Sequence, residues 1–292
     1  RCRIDGVPAA RHCADMNHEY LDKRFPTLAE ILSANGYNTV GFSGNDRMSG
    51  LSGMDRGFGE FEYVHDKYRE EIEKDGDKGS LQICRLAEKW LKKKGGEKPF
   101  YMFINCEAPH LKYWPPEPFR SAFLPAGVSS ADAEKINQNT YKSLTGGAKM
   151  SGKDWEILKA LYDGMTATVD ASIGKIMEAF SKRGLLDDTL VIITADHGDN
   201  QGEHPPLMGH ILCLYDTLLH TPLIVRYPKS FPRGLTVSNI TQTLDVFPTI
   251  LEAAGISDTR ILESQSGISL RLALEKETAR KTMSQFNDFF FR

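Results

Sequence analysis

The sequence predicts an α/β sandwich, a sheet layered between helices, on three observations. Two apolar runs, residues 100–105 and 189–194, are rich in aromatic or β-branched residues and nearly free of polar alternation, as suits strands covered on both faces. Between them Leu158, Leu161, Met165, Val169, Ile173, Ile176 and Phe180 recur at steps of three or four, the signature of one apolar stripe along a long helix. Strand-like and helix-like segments then alternate along the chain, the order expected of an α/β fold.

Element by element, Pro26 and Thr27 open a helix over residues 25–36 that carries Leu28, Ile31 and Leu32 and stops at Gly36. A short strand over residues 39–43 follows. Residues 75–80 and the polar segment 128–153, with Gly146 and Gly147, are expected as surface loops or insertions. Arg183 and Gly184 end the long helix. A strand over 222–227 and a helix over 245–254, stopped by Gly255, complete the alternation. No internal repeat is visible, and residues 1–292 are expected to form one domain.

With 292 residues, 40% hydrophobic and 26% charged, the chain can bury a sizeable core. A formal charge of -3 and a pI near 6.3 leave no basic excess to neutralise a phosphate backbone or an anionic bilayer, which argues against nucleic-acid and membrane partners. No apolar run approaches the length of a membrane span. The chain opens on Arg1 without the charged, apolar and small-residue order of a signal peptide, so an upstream part is expected and the compartment stays open. The five cysteines, Cys2, Cys13, Cys84, Cys106 and Cys213, include no CxxC pair, and reduced, mostly buried thiols are expected.

The chemistry concentrates where the apolar run from Val191 ends in Asp196 and His197 as the backbone turns on Gly198. Residues at the carboxyl end of a strand face the crevice in which α/β sheets bind ligands. A carboxylate beside a neutral imidazole suits Ca²⁺, Mn²⁺ or Zn²⁺, although two ligands do not close a site and the same pair would also cap the next segment.

The neighbours of that pair carry a resemblance. Leu185 to Gly198, then Gly202, Glu203 and His204, resembles the sulfatase segment that supplies half of a divalent-metal site. Gly209 and His210, then Leu214, Tyr215, Asp216 and Thr217 through His220, Thr221 and Pro222, resemble the family's next stretch, in which a basic residue reaches the sulfate. His210 falls near that position, where many sulfatases carry lysine, and as a histidine its charge depends on pH. Upstream, the run from Lys98 to Pro109 and His110, with Trp114, Pro115 and Pro116, is similar to the family's strand ending in Pro-His and its proline-rich loop. The resemblance gives His110 a role at the sulfuryl group. Residues 25–42 resemble the helix and strand that follow the nucleophile region, with Pro8 and His12 in the preceding loop. Where many sulfatases carry Gly-Lys-Trp-His, this chain has Gly44, Asn45, Asp46 and Arg47, which makes Asn45 and Arg47 candidate substrate-binding substitutes. Residues 244–255 and 267–270 match scaffold, and the resemblance runs from about Pro26 to Leu270, which implies one catalytic domain incomplete at both ends, with 25–270 its best-supported part.

The resemblance implies an alkaline-phosphatase-like three-layer sandwich with a largely parallel central sheet flanked by helices. It implies cleavage of a small-molecule or glycan sulfate ester, with Asp196 and His197 on a divalent cation, Ca²⁺ first and Mn²⁺ or Zn²⁺ as alternatives, and with His110 and His210 catalytic. The family's nucleophile signature, Cys/Ser-x-Pro-x-Arg, and the Asp-Asp pair before it do not occur ahead of Pro26, and Cys2, followed by Arg3, Ile4 and Asp5, does not fit. Arg1 is a candidate remnant of the signature's arginine. A chain without these groups is expected to bind metal weakly and to be inactive alone. The aromatic end, Phe289, Phe290 and Phe291, is an aggregation liability if exposed. The alternatives are a phosphodiesterase, phosphonate hydrolase or phosphoglycerol transferase of the same superfamily, and a pseudoenzyme that keeps an anion-binding crevice. Specificity is expected in loops such as residues 128–153.

Overall fold

The computed structural model describes residues 20–50, 52–258, 261 and 266–274. Arg1, Cys2, Pro8, His12, Cys13 and the aromatic end at residues 289–292 lie outside these, and so do the expectations attached to them.

Helix α1 (Leu28–Ala34) starts on a reciprocal cap: the Thr27 hydroxyl accepts from the Glu30 N–H at 3.0 Å, and the Glu30 carboxylate accepts from the Thr27 N–H at 2.7 Å. Strand β1 (Asn38–Ser43) lies in the middle of a parallel three-stranded sheet, between β2 (Glu60–Tyr63) and β3 (Phe100–Asn105). Helix α2 (Ser80–Lys94) connects β2 toward β3, and α3 (Gly152–Lys182) is 31 residues long. Strands β4 (Val191–Thr194) and β5 (Leu223–Arg226) form an antiparallel pair, and α4 (Val246–Ala253) follows. No helix among the described residues is long and apolar enough to cross a membrane.

The sandwich is visible in the alternation along β3. Phe100, Met102 and Ile104 pack into a core with Leu91, Trp90 and Ile83 of α2 and Ile176 and Phe180 of α3. Tyr101 and Phe103 point the other way, onto Leu28, Ile31 and Leu32 of α1 and Phe247 and Leu251 of α4. A strand's side chains alternate between faces, so a strand apolar at every position needs cover on both, and here helices supply it. The run at 100–105 therefore behaves as expected in its faces. Its position differs: β1 is the middle strand, and β3 pairs with β1 alone among the described residues.

The long helix follows the apolar stripe only in part. Leu158, Leu161, Met165, Ile176 and Phe180 are buried, but Thr168 and Ser172 take the buried face between them while Val169 and Ile173 are half-buried. Both hydroxyls turn back onto the helix, Thr168 to the Gly164 carbonyl at 2.8 Å and Ser172 to the Thr168 carbonyl at 3.2 Å, which satisfies them without a partner outside the helix. Arg183 caps the helix and Gly184 takes a left-handed turn at φ 66°, as its glycine predicts.

Strand β2, helix α2 and the short helices Val64–Lys67, Arg69–Asp75, Phe119–Phe123 and Asp216–Leu219 lie where the sequence pattern predicts no element. The segment 128–153 is not loop throughout, since Ser130–Glu134 and Thr140–Leu144 are short helices opened by Ser129 and Asn139 caps.

Candidate active site

The parallel register sets Ser43 of β1 beside Asn105 of β3, so both strands end on the same rim of the sheet. Gly44 continues β1 by bonding its N–H to the Asn105 carbonyl at 2.8 Å. A Cβ there would lie 3.2 Å from the Lys78 carbonyl oxygen and 3.3 Å from the Glu107 nitrogen, so glycine permits the three chain segments to converge. The rim opens into a cavity of about 530 Å³ whose walls include Asn45, Arg47, His65, Arg69, Glu107 and His110.

Asp196 and His197 follow β4, and the turn after them is fixed by Gly198. Its N–H donates to the Leu218 carbonyl at 2.9 Å, and a Cβ would sit 2.1 Å from the Thr217 carbonyl oxygen, which no side chain tolerates. Buried Asn200 then pairs with Gly209 through backbone bonds of 2.9 and 3.0 Å, which sets Asp199 beside His210.

Three imidazoles meet at this point. The rings of His197 and His210 stack with centroids 4.1 Å apart, and His110 lies 5.0 Å from His210 and 6.5 Å from His197. Each has an identifiable tautomer. His197 Nδ1 is 2.8 Å from the Gly198 carbonyl oxygen and His110 Nδ1 is 2.7 Å from the Leu111 carbonyl oxygen, so these nitrogens carry hydrogen and the Nε2 lone pairs are free. His210 Nδ1 faces Asp199 Oδ1 at 3.3 Å.

The surroundings drive His110 and His210 apart in acidity. The hydrogen bond to the Asp199 carboxylate raises the His210 pKa above the ordinary imidazole value against the pull of burial. Burial lowers that of His110, and the charges of Lys78 and His210 add to the effect. Asp199 is itself held by Tyr113, whose hydroxyl donates to Oδ2 at 2.7 Å; burial and the adjacent carboxylate push the Tyr113 pKa far up, so the phenol stays a donor. Behind His110, half-buried Lys78 donates to the His110 carbonyl at 2.6 Å and pairs with Glu107 at 3.4 Å. Burial lowers the Lys78 pKa, and Glu107 opposes that.

Sulfatase is the family whose profile matches residues 2–256. This chain belongs to the sulfatase family. Arylsulfatase K from Xenopus laevis is 25% identical to it over 289 residues, covering 87% of this chain and 52% of the relative, and the human form is 26% identical over 295 residues, covering 90% and 54%. N-acetylglucosamine-6-O-sulfatase from Bacteroides thetaiotaomicron is 33% identical over 148 residues, which is 51% of this chain and 25% of the relative. The sulfatase-family chain thus spans about half the length of the arylsulfatase K relatives it matches. Among solved structures, BT4656 in complex with its substrate D-glucosamine-2-N,6-O-disulfate superposes with a TM-score of 0.73 at 20% identity, covering 94% of this chain and 69% of the other. The phosphonate monoester hydrolase from Silicibacter pomeroyi superposes with a TM-score of 0.67 at 22% identity, covering 93% and 66%. These likenesses confirm the alkaline-phosphatase-like sandwich.

Within this sulfatase fold the residues singled out in the sequence fall into two groups. His110, His197 and His210 converge, with Asp196 at their edge, its Oδ2 3.8 Å from His197 Nε2. Asn45 and Arg47 line the same cavity as His110, and the Asn45 side-chain oxygen is occupied by the Arg47 N–H at 2.9 Å. Sequence reasoning missed Asp199, Tyr113 and Lys78. Asp199 lies three residues beyond Asp196, so a search for every acid near the metal motif would have found it; nothing in the local sequence marks Tyr113 or Lys78.

The metal question turns on the donor atoms. His197, Asp199 and His210 offer ligand atoms that all lie within 4.8 Å of one another. Each Asp199 oxygen holds one hydrogen bond, whereas in the half-exposed Asp196 carboxylate only Oδ1 does, accepting from the His197 N–H at 3.1 Å, and Oδ2 and His197 Nε2 are left to a cation. Two ligands about 2.1 Å from one ion can stand up to about 4.2 Å apart, so a 3.8 Å separation fits a shared cation. The bond from His197 Nδ1 to a carbonyl is the outer support a ligating imidazole normally has.

Proposed function

We propose that this chain carries the acid-base and metal-binding core of a hydrolase acting on a sulfate ester, in a single catalytic domain. The observation that carries the reading is the pair of imidazoles 5.0 Å apart whose environments push their acidities in opposite directions. Two neighbouring groups separated in this way are suited to one acid and one base role. His210, whose pKa the bond to Asp199 raises, donates from Nε2 to a sulfuryl or leaving-group oxygen. His110, whose pKa burial lowers and whose Nδ1 hydrogen is tied to Leu111, offers Nε2 as a base.

Asp196 and His197 hold the divalent cation, which when bound supplies positive charge at the sulfuryl oxygens. Calcium is the ion the family resemblance implies; one imidazole and one carboxylate suit Mn²⁺ or Zn²⁺ as well, and Ca²⁺ requires further oxygen ligands. Asn45 and Arg47 line the approach to His110 and contact the body of the ester. The nucleophile is assigned to none of the described residues. A sulfated sugar is the favoured substrate class, supported by the sugar-sulfatase name of one relative and the disulfated glucosamine bound in one structural neighbour.

The full-length protein tests the reading with an aryl sulfate and an aryl phosphonate. His210→Ala should lower kcat/KM on the sulfate by about 100-fold or more, the usual scale of a lost proton donor. Faster turnover of the phosphonate than of the sulfate by the unaltered protein would transfer the reading to the phosphoryl branch of the superfamily. Titration with Ca²⁺ and Mn²⁺ should be weakened by Asp196→Ala, and equal affinity in both proteins would remove Asp196 as a ligand.

A further inference from the structure

A second cavity, of about 500 Å³, lies beside the imidazole cluster and is bounded by Lys112, Glu134, Lys135, Gln138, Asn139 and Lys142. Its wall toward the cluster is thin. A Cβ on Gly209, the residue before His210, would lie 3.7 Å from Thr140 Oγ1 and 3.9 Å from Asp199 Oδ1, so the helix that carries Lys142 packs directly against the segment that bears Asp199 and His210.

The cavity is also fixed to that site by specific bonds. Gln138 grips the Tyr113 backbone at both ends, accepting from its N–H at 2.7 Å and donating to its carbonyl at 3.0 Å. Ser143 donates to the Pro206 carbonyl at 2.8 Å. Lys112 itself is two residues from His110.

The groups left over are donors. The Asn139 oxygen is occupied by the Lys142 N–H at 2.9 Å, which fixes the amide orientation and leaves its NH₂ free. Lys135 is paired with Asp132 at 3.1 Å. Lys112 and Lys142 have no carboxylate partner among the described residues, and the one acid in the wall is Glu134. Two unspent ammonium groups and an amide donor in a recess of this size match an anionic substituent on a sugar ring.

We propose that this cavity binds a second anionic group, a sulfate or a carboxylate, carried on the sugar adjoining the one whose ester is cleaved, with Lys112 and Lys142 as its recognition residues. The inference rests on the sulfate-ester reading and narrows its substrate to an oligosaccharide with at least two anionic groups.

The test is calorimetric titration of the full-length protein with three probes: a monosulfated monosaccharide, the same sugar extended by a uronate, and the same sugar extended by a second sulfated sugar. At least one extended probe should bind about tenfold more tightly than the monosaccharide, the sum of two partly exposed charge contacts. The double variant Lys112→Ala/Lys142→Ala should erase that advantage and leave the monosaccharide unchanged. Both lysines are exposed, so the variant folds. The extension that gains affinity identifies the anion. Equal binding of all three probes by the unaltered protein, or an advantage that survives the double variant, overturns the subsite. Binding of no probe also overturns the subsite, and turnover of an aryl sulfate by the same unaltered protein decides the sulfate-ester reading independently.

Discussion

In the sheet core Leu91 and Val40 are fully buried among apolar side chains, whereas at the rim of the crevice the equally buried Tyr113 ends in a hydroxyl bonded to Asp199. The first region is held by apolar area removed from water, which is non-directional and tolerates small adjustments. The second is held by a relay of polar bonds, from Gln138 to Tyr113 to Asp199 to His210, in which each group has one acceptable geometry. The contrast teaches that stability and the proposed chemistry rest on different kinds of contact, so a substitution in one region should leave the other's property largely alone.

The largest effect is expected in the sheet core, where Leu91→Ala should cost about 3 kcal/mol in a denaturant melt without moving the pH profile of the surviving folded protein. Tyr113→Phe strands Asp199 Oδ2 without its donor and should cost about 2 kcal/mol, less than the core truncation, while also shifting the acid-base profile. A Tyr113→Phe cost at or above that of Leu91→Ala, with no change in profile, would break the contrast. His210→Lys sharpens it. Because Asp199 raises the His210 pKa, its charge is present below that value and is lost as pH rises through it, so activity that needs the charge falls on the alkaline side. A lysine stays charged there, and about one pH unit above the His210 pKa the variant should retain activity that the unaltered protein has lost about tenfold. An unchanged alkaline limb would show that the charge of His210 is not used. The smallest effect belongs to Gln138→Ala, expected at about 1 kcal/mol by urea unfolding, since water can replace part of what a half-buried amide supplies.

The same contrast decides what the sequence could disclose. Residues 100–105 announce themselves as a continuous apolar run, which cover on both faces imposes, and most of the 158–180 stripe by a period of about 3.6. Asp196, His197 and His110 stand out in the sequence as candidates because each ends a strand or follows one in a recognisable order. Helix α2 escaped notice because its apolar positions, Ile83, Ala87, Trp90 and Leu91, are interleaved with Arg85, Glu88, Lys89 and Lys92. Lys78 and Tyr113 are assigned by tertiary contact alone: one reaches back 32 residues from His110, and the other bonds an acid 86 residues away.

Helix α3 contributes Leu158, Leu161 and Met165 to the cluster behind the crevice and Ile176 and Phe180 to the cluster under the sheet. At 31 residues it is about 46 Å long, enough to run from one to the other as a single hydrogen-bonded rod. Its central amides should therefore exchange with deuterium only in openings that release both clusters together, and their protection should report the least frequent, most global unfolding event in the chain. The rim that bears the imidazoles would then be free to breathe locally without loosening the framework on which it stands.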